Sequence, residues 1–313
     1  MSPHRIPLDE VRLGYVSQSM ALGISAGHTC RLAGATPGRI EALVAENLSE
    51  LEQLLLYNEA HGIEVFRIGS SLVPFASHPV ARDVKWWRTF AKDFEYLGRI
   101  AARSNQRLSL HPSPAGATLA SARPSVREAT IHEVRYGTRV LDLLGQDLNA
   151  RVVVHVGGAA PDRETALDAA HRFLDAMPED VKRRLVVEHD DYVWSAREVF
   201  PLAFEHGLPF LADTLHNAVL PSEPVIPLRE LFRMADRTWH ALGLRPKHHL
   251  ASQDKGQRAG RHADRILPAD YFAALEALES PADFMLEARD KDLAVFALRR
   301  RAHRALAEDA QQV

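Results

Sequence analysis

Histidine and acidic side chains stand at or near the ends of the β-rich segments of this chain. Four of them lie at the ends of the third to sixth segments: His111, His155, Glu188 and Asp213. His249 lies within the seventh segment, and Glu287 ends the eighth. Three more lie in loops: His78, His216 and His262. Burying several carboxylates together is costly unless cations compensate their charge. Imidazole and carboxylate ligands without thiolate suit Mn²⁺, Fe²⁺ or Zn²⁺, and nine ligands suffice for two or three ions. These residues predict a cluster of divalent metal ions.

The segments that must position these residues alternate eight times between β-rich runs and helical periodicity. The candidate strands are 12–17, 65–70, 107–111, 152–156, 185–188, 209–213, 247–252 and 283–287, and the clearest helices are 39–60, 126–144, 195–205 and 291–307. This alternation predicts a single (β/α)₈ TIM barrel over residues 12–308, between tails 1–11 and 309–313. The carboxyl ends of all strands then converge on one mouth, where barrel enzymes hold their active sites.

An open, doubly wound sheet is the alternative fold. Such a sheet usually carries a glycine-rich phosphate-binding turn after its first strand, and here Ser17-Gln18-Ser19 stands instead. Two helices end in a shared phrase, His61-Gly62 and His206-Gly207. Glycine there supplies a left-handed C-cap, so each phrase predicts a helix that leads into a strand.

Neighbouring residues of a strand face opposite ways, which separates ligands from bystanders. His189 and His248 adjoin Glu188 and His249, so we expect both to point outward toward the helices. Lys247 shares the face of His249. It either forms a salt bridge to a carboxylate at the mouth, or serves as a ligand after carboxylation or as a phosphate contact.

Composition limits the classes of partner. The 313 residues carry a net charge of −3, so any nucleic-acid contact must be local rather than spread over a basic domain. The exposed candidates for such contacts are Arg31, Arg39, Lys255, Arg258, Arg261 and Arg265. The single cysteine, Cys30, excludes an internal disulfide, and no membrane span or signal peptide is evident, so we expect a cytoplasmic protein without an obligate protein partner.

Several motifs resemble those of the UV damage endonuclease family, and the likeness runs from about residue 12 to residue 298. The motifs are Arg12-Leu13-Gly14-Tyr15, the run 66–79, Leu110-His111-Pro112, His155-Val156-Gly157-Gly158, the run 247–252, Gly260-Arg261-His262-Ala263-Asp264 and Met285-Leu286-Glu287-Ala288. The resemblance implies a DNA repair barrel that nicks DNA immediately 5′ of ultraviolet photoproducts with a three-metal site. It implies the same nine ligands, a carboxylated lysine at Lys247 and a lesion-probing tyrosine at Tyr15.

Two positions depart from the family's pattern. Pro114-Ala115 stands where the family carries a Gln-aromatic pair that wedges into DNA opposite the lesion. Ser19 stands where the first loop usually carries an asparagine. The metal chemistry is therefore better supported than the recognition of ultraviolet lesions.

The function that these residues predict is metal-assisted hydrolysis of a phosphodiester in damaged double-stranded DNA, leaving a 3′ hydroxyl and a 5′ phosphate. Glu188, Glu287 and Lys247 would be catalytic, the ions would be Mn²⁺, and Tyr15, Arg258 and Arg261 would contact DNA. Lesions such as abasic sites are related candidates. The alternatives are a barrel isomerase or iron-dependent oxidase that acts on a small molecule or peptide, and a catalytically silent DNA-binding remnant.

Overall fold

The computed structural model describes residues 6–81, 83–113 and 116–310, and within them eight strands alternate with helices. The strands are β1 (Val11–Val16), β2 (Val65–Ile68), β3 (Arg107–Leu110), β4 (Arg151–His155), β5 (Leu185–Glu188), β6 (Phe210–Leu211), β7 (Lys247–Leu250) and β8 (Ala282–Leu286). The helices are α1 (Pro37–Ala60), α2 (Trp86–Thr89), α3 (Ala91–Arg103), α4 (Pro124–Leu143), α5 (Arg163–Ala176), α6 (Glu179–Lys182), α7 (Ala196–Glu205), α8 (Thr214–Val219), α9 (Leu228–His240), α10 (Pro268–Ala277) and α11 (Asp292–Ala310). Among these residues, no helix is long and apolar enough to cross a bilayer.

The eight predicted strands are all present, with ends that shift by up to two residues. β1 stops at Val16 because Ser17 takes a left-handed backbone conformation, with φ of 62°. β6 is only two residues long, against a predicted 209–213, because Asp213 already serves as the N-cap of α8. The predicted glycine caps are confirmed, since Gly62 and Gly207 follow α1 and α7 with φ of 60° and 62°.

The sheet closes into a barrel. All paired strands are parallel, in the order β6-β5-β4-β3-β2-β1-β8-β7. Between the two outer strands of this order, Asp213 forms a parallel bridge with His249, whose backbone N–H donates to the carbonyl of Ala212 at 2.9 Å. The prediction of a single (β/α)₈ barrel is confirmed, and the open sheet is wrong.

Alternate residues of each strand face different surroundings. In β4, Val152 and Val154 join the large apolar layer between strands and helices, whereas Val153 belongs to a separate cluster. That second cluster is made by Val153, Val186, Leu211, Trp239 and Leu244. Val153, Val186 and Leu211 therefore give the interior of the barrel an apolar patch beneath the mouth.

An ion cluster lies at the amino end of the strands, opposite the mouth. Asp283 is fully buried, and its carboxylate accepts hydrogen bonds from Arg12, Arg107 and Arg245 at 2.7–2.8 Å. Burial alone would raise the pKa of Asp283, but Arg107, Arg12 and Arg245 hold it down to about 2. This carboxylate links β1, β3 and β8 through charged hydrogen bonds.

Replacing Asp283 with Asn should lower the free energy of unfolding by about 2–5 kcal/mol near pH 7, because buried arginines lose their counter-charge. The pKa of this group is lower in the folded protein than the ordinary 3.8. Its contribution is therefore present above pH 4 and is lost as the pH falls toward 2, so the difference between wild type and Asp283→Asn should shrink over that range. Urea denaturation at pH 7 and pH 3 measures this, with exposed Asp168→Asn as the control. Equal stabilities at pH 7 would contradict the assignment.

Gly14 sits where β1 passes β2 most closely. A Cβ atom at this position would lie 2.1 Å from the carbonyl oxygen of Val65 and 2.6 Å from its Cβ. Since these two residues are paired in the sheet, neither backbone can move away without breaking the ladder.

Gly14→Ala should therefore destabilise the protein by about 1–3 kcal/mol through overpacking. Gly38→Ala is a matched control, because a Cβ there meets nothing within 4 Å and lies in the first turn of α1, where alanine favours the helix. The measurement is the midpoint and slope of urea unfolding. A Gly14→Ala protein as stable as Gly38→Ala would show that the strands can separate locally.

Candidate metal centre

Glu188, the last residue of β5, lies at the centre of the mouth and is completely buried. Its Oε2 is 2.9 Å from His111 Nε2 and 3.5 Å from His155 Nε2. Its Oε1 is 2.7 Å from His249 Nδ1 and 3.7 Å from His216 Nδ1. One carboxylate therefore holds four imidazole rings around it. Burial opposes ionisation, but His249, His155 and His111 hold the pKa of Glu188 well below its usual range.

Glu287 forms a second centre directly after β8. Its Oε1 is 2.5 Å from Arg67 Nη1 and 3.2 Å from His249 Nδ1, and its Oε2 is 3.7 Å from His262 Nε2. Burial would raise the pKa of Glu287, but Arg67 and His249 lower it. His249 touches both carboxylates and so joins the two centres.

Asp213 combines a structural role with a place in the cluster. Its Oδ1 accepts the backbone N–H groups of Leu215 and His216 at 2.7 and 2.8 Å, which is ordinary N-capping of α8. Its Oδ2 is buried and has no hydrogen-bond partner in the described residues. The cap thus fixes His216 three residues away and leaves one carboxylate oxygen available to a cation.

Hydrogen bonds orient two of the imidazole rings. His216 Nδ1 lies 3.0 Å from the carbonyl oxygen of His189, and His111 Nδ1 lies 3.0 Å from that of Pro112. Donation through Nδ1 leaves Nε2 of each ring as the ligand atom, which is how metal-binding histidines are usually oriented.

The donor set fits divalent cations. Two groups have ligand atoms within 4.8 Å of one another: His111, His155 and Glu188, and Glu188, Asp213 and His249. His155 Nδ1, His249 Nε2 and Asp213 Oδ2 are buried without hydrogen-bond partners among the described residues. Unpartnered buried polar atoms are costly, and cations compensate them. These buried residues can bind metal ions.

The structure brings eight of the nine predicted ligands into this network and does not bring in His78. His78 is exposed in the loop after β2, and its described contacts are with the backbone N–H of Val80, at 3.1 Å, and the ring of Phe75. Ser77, the residue before it, is hydrogen-bonded to Glu133 of α4. The ligand role of His78 stays a prediction.

Lys247 lies beneath His249 on the same face, as predicted, but makes no salt bridge. Its Nζ is buried and has no hydrogen-bond partner in the described part of the chain. Burial first, and then Arg107 and Arg67, lower the pKa of Lys247 well below 10.5. The predicted salt bridge to a mouth carboxylate is wrong, because Glu188 and Glu287 are already occupied by imidazole and guanidinium groups.

Tyr15 is fully buried, and its contact with DNA stays a prediction. Its hydroxyl donates to Asn58 Oδ1 at 2.8 Å, and its ring packs against Phe66 at 5.0 Å between centroids. Neighbouring residues of β1 face opposite sides of the sheet, and Tyr15 faces helix α1, where it meets Asn58. Pro114 and Ala115 lie outside the described residues.

Other predictions made from strand parity and loops have clear outcomes. His248 packs against Phe232 of α9 at 4.4 Å between ring centroids, so its outward direction is confirmed. His189 accepts a hydrogen bond from the backbone of Asp213 and packs against Phe210. Arg258 and Arg261 are exposed in the loop after β7, where phosphate can reach them.

Two further residues around the mouth were missed by sequence reasoning. Arg67 forms an ion pair with Glu287. A charged residue inside the otherwise apolar strand β2 was the sequence feature that could have identified it. Asp292, at the start of α11, accepts hydrogen bonds from Ser19 Oγ at 2.8 Å and from Tyr57 at 2.9 Å, and so holds the loop after β1. No local signal identified Asp292, since its partners are more than two hundred residues away.

A pocket of about 450 Å³ opens beside the cluster. Small polar residues line it together with three members of the network: Ser17, Ser25, Gly27, Gly69, Ser70, Ser71 and Ser113, with His111, His155 and Glu287. Arg67 also faces this space. The pocket therefore combines a cationic group, hydroxyl groups and the metal-binding residues, which suits a polar, anionic substrate.

A family model described as UV-endonuclease UvdE matches residues 11–311 of this chain. The chain belongs to the UvdE family. The UV DNA damage endonuclease of Bacillus pumilus is 30% identical over 303 residues, covering 92% of each protein. The UV-damage endonuclease of Schizosaccharomyces pombe is 30% identical over 93% of this chain and 50% of its own length. The crystal structure of SacUVDE superposes with a TM-score of 0.87 at 28% identity, covering 94% of this chain and 99% of that one.

Membership of the UvdE family makes this chain an endonuclease that acts on DNA. The small-molecule isomerase or oxidase is therefore not retained. Eight of the nine ligands that the resemblance implied lie together at the mouth, around Glu188 and Glu287.

Metal binding should release protons at neutral pH. Burial opposes protonation of His216, but Asp213, Glu188 and Glu287 raise its pKa to about 9 in the metal-free protein. An ion must displace that proton, so the apparent affinity for Mn²⁺ should rise about tenfold per pH unit between pH 6.5 and 8. Calorimetric titration in two buffers of different ionisation enthalpy measures the release. His132→Ala, which alters an exposed histidine of α4, serves as the control, and titration without proton release would contradict this account.

Proposed function

We propose that this protein nicks one strand of damaged double-stranded DNA on the 5′ side of an ultraviolet photoproduct or a related lesion such as an abasic site. The products would carry a 3′ hydroxyl and a 5′ phosphate. The observation that carries the proposal is the buried network around Glu188 and Glu287, beside a polar pocket at the mouth of a UvdE-family barrel.

The nine residues His78, His111, His155, Glu188, Asp213, His216, His249, His262 and Glu287 would hold two or three Mn²⁺ ions. Divalent cations at such a site supply positive charge to phosphodiester oxygens and lower the pKa of water. Glu188 and Glu287 both contact His249 but otherwise contact different side chains, so each carboxylate would hold a separate ion. His78 would be drawn in from its exposed loop.

Arg67 would bind the phosphate to be cut. Its guanidinium is only 12% exposed and is fixed by Glu287, yet it lines the pocket beside His111 and His155. A buried guanidinium of this kind presents fixed donors to a phosphate oxygen. We assign it a positioning role for the substrate.

Carboxylation of Lys247 fits the surroundings of its amine. The lowered pKa favours the neutral form, whose nitrogen can attack carbon dioxide, forming a carbamate and releasing one proton. A carbamate would place a negative charge near Arg107 and Arg67, the two cations that lower the lysine pKa. Lys247 would then act as a ligand or a positioning group at the base of the cluster.

Arg258 and Arg261 would contact the phosphates that flank the cut. Both are exposed on the loop that also carries His262, so they stand next to the metal-binding residues. Because the chain has a net charge of −3, these local contacts should give DNA binding that weakens as salt rises. A cytoplasmic location remains part of this proposal.

His155→Ala and Glu287→Ala should each lower incision by at least about a hundredfold, by analogy with the loss of one essential polar group at an active site. The assay uses Mn²⁺ and compares irradiated, abasic and undamaged duplexes that are otherwise identical. His132→Ala is the control, because it removes a histidine that lies on the outer face of α4. Undiminished nicking by both site variants would contradict the assigned centre.

Cutting of irradiated and abasic DNA, but not of undamaged DNA, is the expected pattern for wild type. Cutting of abasic DNA alone would keep the chemistry and remove the ultraviolet photoproduct from the substrates. Equal cutting of all three duplexes would contradict lesion recognition.

A further inference from the structure

Tyr192 is the most exposed of the large apolar or aromatic side chains in the described residues, at 87%. It lies in the loop after β5, four residues beyond Glu188. Four residues of extended chain span at most about 14 Å, or roughly four base steps of 3.4 Å along a DNA strand. Tyr192 is therefore within a few nucleotides of the metal-binding centre.

The loop that carries Tyr192 is fixed by its own hydrogen bonds. Asp190 Oδ1 accepts the backbone N–H groups of Tyr192, Val193 and Trp194 at 2.5–2.9 Å. Asp190 N–H donates in turn to the carbonyl of Trp194 at 3.0 Å. These hydrogen bonds fix the backbone of the turn from residue 190 to residue 194, and the side chain of Tyr192 projects from it.

Contacts with two neighbouring loops hold the turn in place. The indole of Trp194 is buried, and its Nε1 donates to the carbonyl of Gly157 at 2.5 Å. Arg163 covers that indole at 4.6 Å from its centroid. On the other side, Asp191 packs so closely on Gly260 that a Cβ there would lie 1.9 Å from Asp191 Oδ2.

The contact with Gly260 also places Tyr192 near cationic side chains. Arg261 follows Gly260 directly, is exposed, and lies 3.8 Å from Asp254 through its Nε. A rigid aromatic ring beside exposed arginines is the combination that binds single-stranded or unstacked nucleic acid: the arginines contact phosphate and the ring stacks on a base.

We propose that Tyr192 is a DNA-contacting residue that stacks on a nucleobase unstacked near the cut. The proposal rests on the proposed function, because it needs DNA with a disturbed stack at this mouth. Little conformational freedom is lost when DNA binds, since the turn is already ordered by Asp190 and Trp194. Tyr15, for which the resemblance implied a lesion-probing role, is buried, whereas Tyr192 is exposed.

Single-turnover incision by the metal-loaded enzyme tests the proposal. In Tyr192→Ala, the enzyme concentration for half-maximal rate on damaged duplex should rise about tenfold, as loss of one stacked base implies. The plateau rate should stay within about twofold of wild type, because the ring does not touch the metal-binding residues. Tyr192→Phe and Tyr192→Trp should bind nearly as well as wild type, since both keep a stacking face.

Tyr96→Ala is the matched control, because Tyr96 is exposed on the outer helix α3, where its hydroxyl donates to Glu52. Unchanged half-maximal concentration in Tyr192→Ala, or an equal change in Tyr96→Ala, would overturn the proposal. So would a loss in Tyr192→Phe as large as in Tyr192→Ala.

A fluorescence measurement of base stacking, made without incision, tests the role of Tyr192 separately from the proposed nicking function. Duplexes with 2-aminopurine at successive positions around the lesion are titrated with enzyme in the presence of a chelator. We expect wild type to quench one position through stacking, and Tyr192→Ala to lose that quenching. Quenching without incision by wild type would contradict the nicking function while supporting Tyr192. Incision with the same quenching in Tyr192→Ala would overturn the role of Tyr192 alone.

Discussion

Glu188 is completely buried, and both of its carboxylate oxygens contact imidazole rings. A buried anion of this kind is stable only if positive charge is placed close to it. His216 lies beside Glu188, and nearby carboxylates raise its pKa to about 9. The mouth is therefore preorganised for cations.

Apolar and charged groups lie at different levels of the barrel below the Glu188 carboxylate. Beneath the mouth, Val153, Val186 and Leu211 form an apolar layer. At the far end, the carboxylate of Asp283 accepts hydrogen bonds from three arginines and offsets part of their positive charge. Lys247 is in register with Asp283 in the sheet and is buried without a hydrogen-bond partner among the described residues, and its burial lowers the pKa of its amine well below the usual value.

The mouth combines two kinds of residue. The predicted metal ligands at strand ends, such as Glu188, are buried and fixed by the sheet, whereas Tyr192, Arg258 and Arg261 are exposed on loops. Those loops are held by specific contacts, such as Trp194 with Gly157. Under the proposed function, the buried residues would hold the metal ions and the exposed loop residues would contact DNA.

The sequence by itself determined the barrel and most of its site, because strand periodicity fixes which residues lie at strand ends and barrel topology brings those ends together. That reasoning located His155, Glu188 and Glu287 without a structure. Only the tertiary structure decided the surroundings of side chains whose neighbours are distant in the chain. Tyr15 is buried against Phe66 and Asn58, and Ser19 donates a hydrogen bond to Asp292. Lys247 has no hydrogen-bond partner among the described residues. The tertiary structure also left His78 apart from the cluster, because a loop side chain, unlike a strand end, has no periodicity that fixes its direction.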